Sequence, residues 1–257
     1  MNGIVVMTST IFKGKKLQKS ILFVVARVPT IPNKESNLNF YKAMLFVATL
    51  FISEGSQAFE FEALSKGNNL YLIGTFDEST YTAVTELLDS NPNIDTIVFT
   101  ANGGSVHDSS TLALGREIRR RGMNTHLVKG GVLASGGLSL FMAGNIRTMG
   151  SRPLVGVHSW QHCWREGNSA EQCKDAREHQ RADPGHELHG SYTKEMLGKR
   201  DFYWFAIEAA PSTSIHWMRP EEIIEYELTN SNVQPSDVMN PFGAKFYREK
   251  RRVCGEC

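Results

Sequence analysis

This sequence lacks a surplus of either charge. Its 28 Lys and Arg stand against 27 Asp and Glu, for a formal net charge of +1, which argues against a general binder of nucleic acid or other polyanions. The one basic cluster in the body, Arg116 with Arg119-Arg120-Arg121, ends a helical pattern, where cations complement the carbonyl end of the helix dipole. Cysteine is also scarce, at four residues. Cys254 and Cys257 form a Cys-x-x-Cys motif, but no second Cys or His pair lies at zinc-finger spacing from it. His158 and His162, spaced i, i+4, show no glutamate of a His-Glu-x-x-His arrangement, and His186 and His189, spaced i, i+3, read as solvated histidines. No metal and no cofactor is therefore expected. A repeat of solenoid type is missing too, and the apolar run at residues 43–53 falls short of the roughly 20 residues that span a bilayer.

What is present begins with that run. Ala43-Met44-Leu45-Phe46-Val47-Ala48-Thr49-Leu50-Phe51-Ile52-Ser53 has the length of a signal-peptide core, and Ser56-Gln57-Ala58 supplies small residues for a cleavage site. The 42 residues ahead of it far exceed an ordinary leader. Either translation starts downstream, or the segment is a signal-anchor with a basic tail (Lys13, Lys15, Lys16, Lys19). Residues 1–58 are read as an N-terminal extension directing export to the periplasm or its membrane face, with membrane contact confined to that extension. Export suits a disulfide, for which Cys163 and Cys173 are close enough in sequence. Residues 235–257 read as a basic, cysteine-containing, solvated tail.

Between these ends, strand and helix patterns alternate. Leu70–Gly74 reads as a buried strand, Asp77-Glu78-Ser79-Thr80 caps a helix from Tyr81 to Asp89, and Ile94–Thr100 is a β-branched strand. Asp108-Ser109-Ser110 caps a second helix that Gly122 ends. Thr125–Val128 is a strand, Gly130-Gly131 a turn, and Ser135–Ala143 a helix. Arg147–Met149 and Leu154–His158 follow as strands. Such alternation predicts parallel β-α-β units with right-handed crossovers, an α/β fold. Residues 160–200 are polar, without an apolar period until Tyr192. A helix through Tyr203–Glu208 stops at Pro211, and Arg219–Ile224 is a short helix with an early proline.

Three features in this frame carry chemistry. Ser135, in Ala134-Ser135-Gly136-Gly137, opens an apolar helix, where free N–H groups and the positive dipole end favour negative charge. His158 ends a strand and can take a serine proton. Asn102-Gly103-Gly104-Ser105 closes another strand with a glycine pair, so the N–H groups of Gly104 and Gly136 can serve as oxyanion donors. Each feature alone also fits plain packing: small residues seating a helix on a sheet, a structural histidine, a tight turn. Their order and spacing in one β-α-β frame points to acyl transfer.

That order resembles the ClpP/crotonase superfamily, and more narrowly the periplasmic ClpP-like serine peptidases of bacteria. The matching segments are Ala101–Val106, Leu133–Gly137, Ala143–Arg147 and Gly156–Ser159. Trp217–Glu222 and Glu225–Leu228 look like the family's closing segment, so the resemblance covers roughly residues 68–229. It implies a ClpP-like domain at 59–234, a spiral of β-β-α units with a polar helical C-terminal part. It further implies Ser135 as nucleophile, His158 as base, Gly104 and Gly136 as oxyanion donors, a peptide or protein substrate, and homo-oligomers of the kind relatives form. Two positions depart from the pattern. Asn102 replaces the proline before the glycine pair, and the expected aspartate falls at Pro211. Glu208, one helical turn earlier, is the carboxylate considered for that role; otherwise a backbone carbonyl or a hydroxyl orients His158. Two other functions share these residues: an inactive ClpP-like binding or assembly module, and a crotonase-type acyl-CoA enzyme.

Overall fold

The computed structural model describes residues 61–167, 169–231, 238 and 240–255. The expected export segment, residues 1–58, lies outside them. No described helix is long and apolar enough to cross a membrane.

Apolar runs bounded by polar turns set the central sheet. Strand β1 (Glu62–Lys66) folds back antiparallel on β2 (Asn69–Ile73), beside which β3 (Thr96–Asn102), β4 (Asn124–Ala134) and β6 (Leu154–Val157) run parallel. The order is β1-β2-β3-β4-β6-β9, with β9 (His216–Trp217) antiparallel at the edge and β5 (Arg147–Met149) paired to the first half of β4. Helices α1 (Thr80–Ser90) and α2 (Asp108–Arg120) form the crossovers, and α3 (Gly136–Met142) follows β4 directly. The α/β class expected from the alternation is the one observed.

Both faces of the sheet are covered, which explains why its strands read as continuous apolar runs. Because side chains alternate along a strand, Leu70, Leu72, Ile97 and Phe99 pack with Val84, Leu114 and Ile118 on one side. The intervening Tyr71, Ile73 and Val98 meet Phe246 on the other. Phe246 belongs to helix α7 (Ala244–Cys254), so the expected solvated tail is instead, over this stretch, a docked helix. Polar anchors hold it: Lys250 Nζ donates to Gly130 O at 2.9 Å, Arg252 donates to Thr75 Oγ1 at 3.0 Å, and Lys245 pairs with Glu62. The Cys254–Cys257 motif falls partly outside the described residues.

Other boundaries differ from expectation for local reasons. Strand β4 does not stop at Val128. It bends through Lys129–Gly131, leaves β5 after Leu127 and pairs with β6 from Val132. A side chain at Gly131 would meet Val128 O at 2.8 Å and Thr100 O at 2.9 Å, so glycine here marks close backbone approach within a strand. Helix α2 is capped by His107, whose Nδ1 accepts the Ser110 N–H at 3.3 Å. At α1 it is Asp77 Oδ1 that accepts the N–H groups of Ser79 and Thr80.

The polar stretch 160–200 is ordered structure. Strands β7 (Gln161–Trp164) and β8 (Gln172–Asp175) form an exposed hairpin, closed by the expected Cys163–Cys173 disulfide. Helix α4 (Pro184–Leu197) starts on an Asp183 cap with proline in its first turn and ends at left-handed Gly198. Helices α5 (Asp201–Ala209) and α6 (Pro220–Glu225) agree with the sequence reading. Within the basic cluster, Arg119 donates to Met142 O at 3.1 Å and Met196 O at 2.9 Å, tying together the carbonyl ends of α3 and α4. Arg120 and Arg121 pair with Glu117.

Candidate active site

Three adjacent parallel strands deliver the site from their C-terminal ends, where ligands bind in open α/β sheets. Gly104 follows β3, Ser135 follows β4 and His158 follows β6. Ser135 sits in the turn into α3 with φ 51° and ψ −124°, a conformation that a residue with a β-carbon adopts only under local constraint. The constraint is visible. Its N–H donates to Gly156 O at 3.2 Å, and its carbonyl accepts from Leu138 at 2.9 Å and Ser139 at 3.2 Å. The Ser135 hydroxyl takes no part in a hydrogen bond with the described residues.

The two expected donor glycines flank it. Gly104 has φ +131°, and a side chain there would lie 3.1 Å from Ser135 Cβ and 3.5 Å from its Oγ. At Gly136 a β-carbon would meet Ser105 Oγ and, at 3.0 Å, Ser105 N. Neither N–H finds an acceptor among the described residues. Asn102, in place of the proline, is fully buried; its side-chain amide donates to Gly74 O at 3.4 Å and its Oδ1 accepts from Thr100 N at 3.2 Å.

His158 Nδ1 lies 2.7 Å from Ser159 O. Because a carbonyl only accepts, Nδ1 carries the proton and Nε2 is left with the lone pair of the neutral ring. Ser135 and His158 line one cavity of about 90 Å³, although no hydrogen bond joins them. Its apolar lining includes Leu112, Leu138, Met142, Phe202 and Ile207. Ser105, Asp108 and His189 add polar groups to the same cavity. Ser105 Oγ donates to Asp108 Oδ1 at 3.1 Å, and His189 Nε2 lies 3.3 Å from Asp108 Oδ2. Burial raises the Asp108 carboxyl, but the His189 and Ser105 contacts outweigh it and leave the group below the ordinary range.

No carboxylate touches the His158 ring among the described residues. Glu208 is exposed on α5 and pairs with Arg181 at 3.3 Å, so it does not supply the third member. The position counted to Pro211 adjoins Ser212, whose N–H donates to Asp175 Oδ2 at 2.7 Å. Sequence reasoning did not bring Asp108 or Asp175 to the site, and it weighed His189 only as half of an i, i+3 histidine pair. Asp108 looked like a helix cap, and the other two lie in the stretch without apolar period.

The spaced histidines serve other purposes. Tyr203 OH and His186 Nδ1 are 2.6 Å apart, while Trp160 Nε1 donates to Tyr203 OH at 3.0 Å. Burial pushes the Tyr203 phenol up to about 12 despite the Trp160 contact. His162 stacks on Trp164 in the hairpin. The metal-type grouping found among the described residues, Cys163, Glu171 and Cys173, has both sulfurs committed to the disulfide.

No family model matches the chain, and no curated protein matches it. Among solved structures it is similar to a membrane-bound stomatin-specific protease in complex with a substrate peptide, at 14% identity and TM-score 0.42, covering 65% of this chain and 75% of that one. A second mutant of that protease gives 13% identity, TM-score 0.43, and coverage of 65% and 79%. An enoyl-CoA hydratase from Shewanella pealeana gives 10% identity, TM-score 0.38, and coverage of 67% and 68%. These are likenesses of fold alone.

Proposed function

We propose that this chain is a serine acyl hydrolase acting on peptide bonds, with Ser135 as nucleophile and His158 as general base. The observation that carries the reading is the strained Ser135 turn, which presents an unengaged hydroxyl to the cavity that His158 also lines. Nδ1 of His158 is occupied by Ser159 O, so the lone pair available for the serine proton is on Nε2. Attack of Ser135 Oγ on the substrate carbonyl carbon transfers the hydroxyl proton to Nε2. The negative charge moves to the carbonyl oxygen, where the N–H groups of Gly104 and Gly136 receive it. Collapse of this intermediate breaks the C–N bond, and His158 returns its proton to the leaving amine. Water then repeats the sequence on the acyl-enzyme. A cavity of about 90 Å³ walled in part by Leu112, Leu138, Met142, Phe202 and Ile207 suits a short aliphatic side chain beside the scissile bond.

A fluorophosphonate probe is expected to label the wild-type chain at Ser135, with labelling abolished in Ser135→Ala. Retained labelling in that variant refutes the assignment. The alternative, a non-catalytic binding or assembly module, is favoured by the absence of a carboxylate on His158 among the described residues; it wins if the wild-type chain is never labelled. Export completes the proposal, supported by the Cys163–Cys173 bridge, since disulfides persist in oxidising compartments. A C-terminal reporter that is active only outside the cytoplasm tests it, and cytoplasmic retention of the fusion overturns it.

A further inference from the structure

The His158 ring is aimed by a main-chain oxygen, so its orientation is only as fixed as the peptide that bears that oxygen. Ser159 is completely buried and held from two further directions. Its N–H donates to Ala210 O at 2.9 Å. Its hydroxyl donates to Asp175 Oδ1 at 2.7 Å, with Trp160 O at a longer 3.2 Å.

Asp175 is itself pinned. One oxygen takes the Ser212 N–H at 2.7 Å; the other takes the Arg177 N–H at 3.0 Å and Arg177 Nε at 2.8 Å. Its own N–H donates to Glu178 Oε1 at 3.0 Å. Burial works against the charge, yet Arg177, Ser212 and Ser159 hold the carboxyl well below the usual carboxylate range. The residue ends β8, two positions after Cys173. It thus reaches the 210–214 segment from the hairpin side, where the chain itself has Pro211 and no acid.

We propose that Asp175 is the positioning residue of the Ser135–His158 pair, acting through the Ser159 hydroxyl to fix the carbonyl that orients His158. The inference rests on the reading of Ser135 and His158 as nucleophile and base. A fixed anion one residue removed from the ring also favours the imidazolium that forms during attack. The charged neighbours on its own turn are Arg177 and Glu178, and the opposing segment presents the Ser212 peptide.

Fluorophosphonate labelling rates across pH in Asp175→Asn, Ser159→Ala and the double variant test this. Each single change is expected to slow labelling about ten- to a hundredfold, the usual cost of removing a group that orients a functional side chain. The double variant is expected to be no slower than the slower single, because both act along one path. The acid limb of the profile moves to lower pH in Asp175→Asn and less in Ser159→Ala, which keeps the carboxylate. A merely structural role moves no limb. Wild-type rates and profiles in both folded single variants overturn the proposal. If Asp175→Asn does not fold, as judged by its thermal melt, Ser159→Ala decides alone, and a wild-type rate there overturns it.

Nitrogen-15 spectra of His158 separate this outcome from failure of the hydrolase reading. They report the ring tautomer whether or not Ser135 reacts. A single Nδ1–H tautomer in the wild type that becomes mixed in both variants supports the relay. The same single tautomer in all three proteins overturns it.

Discussion

Acid should undo β4, the strand that leads into Ser135, before it protonates most carboxylates. His126 is the third residue of that strand, 4% exposed, with Nδ1 2.9 Å from Thr148 Oγ1 on β5. Burial lowers its pKa from 6.5 to about 4, the Thr148 contact opposing only weakly. As pH falls, the unfolded chain therefore takes up this proton first. The stabilisation is intact above the unfolded value, drains away below it, and is exhausted near the folded one. At about 1.36 kcal/mol per pH unit, the full loss is on the order of 3 kcal/mol, of which about 2 kcal/mol is gone by about pH 5. The assay is urea denaturation at a series of pH values for the wild type and His126→Asn, which keeps a polar partner for Thr148 but does not titrate. The variant starts less stable at neutral pH, since its side chain is smaller. Its stability should then vary with pH between 4.5 and 6.5 by about one bound proton less than the wild type. Parallel curves for the two proteins over that window refute the reasoning.

Other perturbations separate parts of the molecule. Gly104→Ala places a β-carbon 3.1 Å from Ser135 Cβ at a φ of +131°. It should cost about 1–3 kcal/mol in a thermal or urea melt and slow phosphonate labelling about a hundredfold or more; near-normal labelling removes Gly104 from the site. Phe246→Ala empties the cluster beneath α7 and should cost about 3 kcal/mol, with hydrogen exchange accelerated over Gly103, against which Val253 is seated. A melt unchanged within about 0.5 kcal/mol contradicts the docking of that helix. Glu208→Gln breaks only a surface pair with Arg181 and should leave both melting and labelling unchanged; a large drop in labelling restores Glu208 as a site residue.

The sheet was legible because its strands are buried on both faces and bounded by glycine, proline and asparagine. The Ser135 turn was legible for the same reason, lying between two such runs. What escaped notice depends on tertiary partners. Strand β1 is exposed along most of its length, so no apolar alternation marks it. Helix α4 buries His186, Gly190 and Thr193 as well as Tyr192 and Met196, which breaks the apolar period. Asp183-Pro184 and Gly198 do carry start and stop signals that a closer reading of caps recovers. Helix α7 has Phe246 and Val253 as its apolar anchors among charged residues, and its seat exists only once β2, β3 and β4 are side by side. Asp175 could not be found by counting, because it meets Ser159 across 16 residues and Ser212 across 37.

Since Gly104, Ser135 and His158 ride on neighbouring rungs of one sheet, the gauge of the site is the interstrand pitch, about 4.8 Å. Exchange of side chains on α4 or α5 can resize the cavity that Ser135 and His158 line. It cannot widen the track on which these three residues stand.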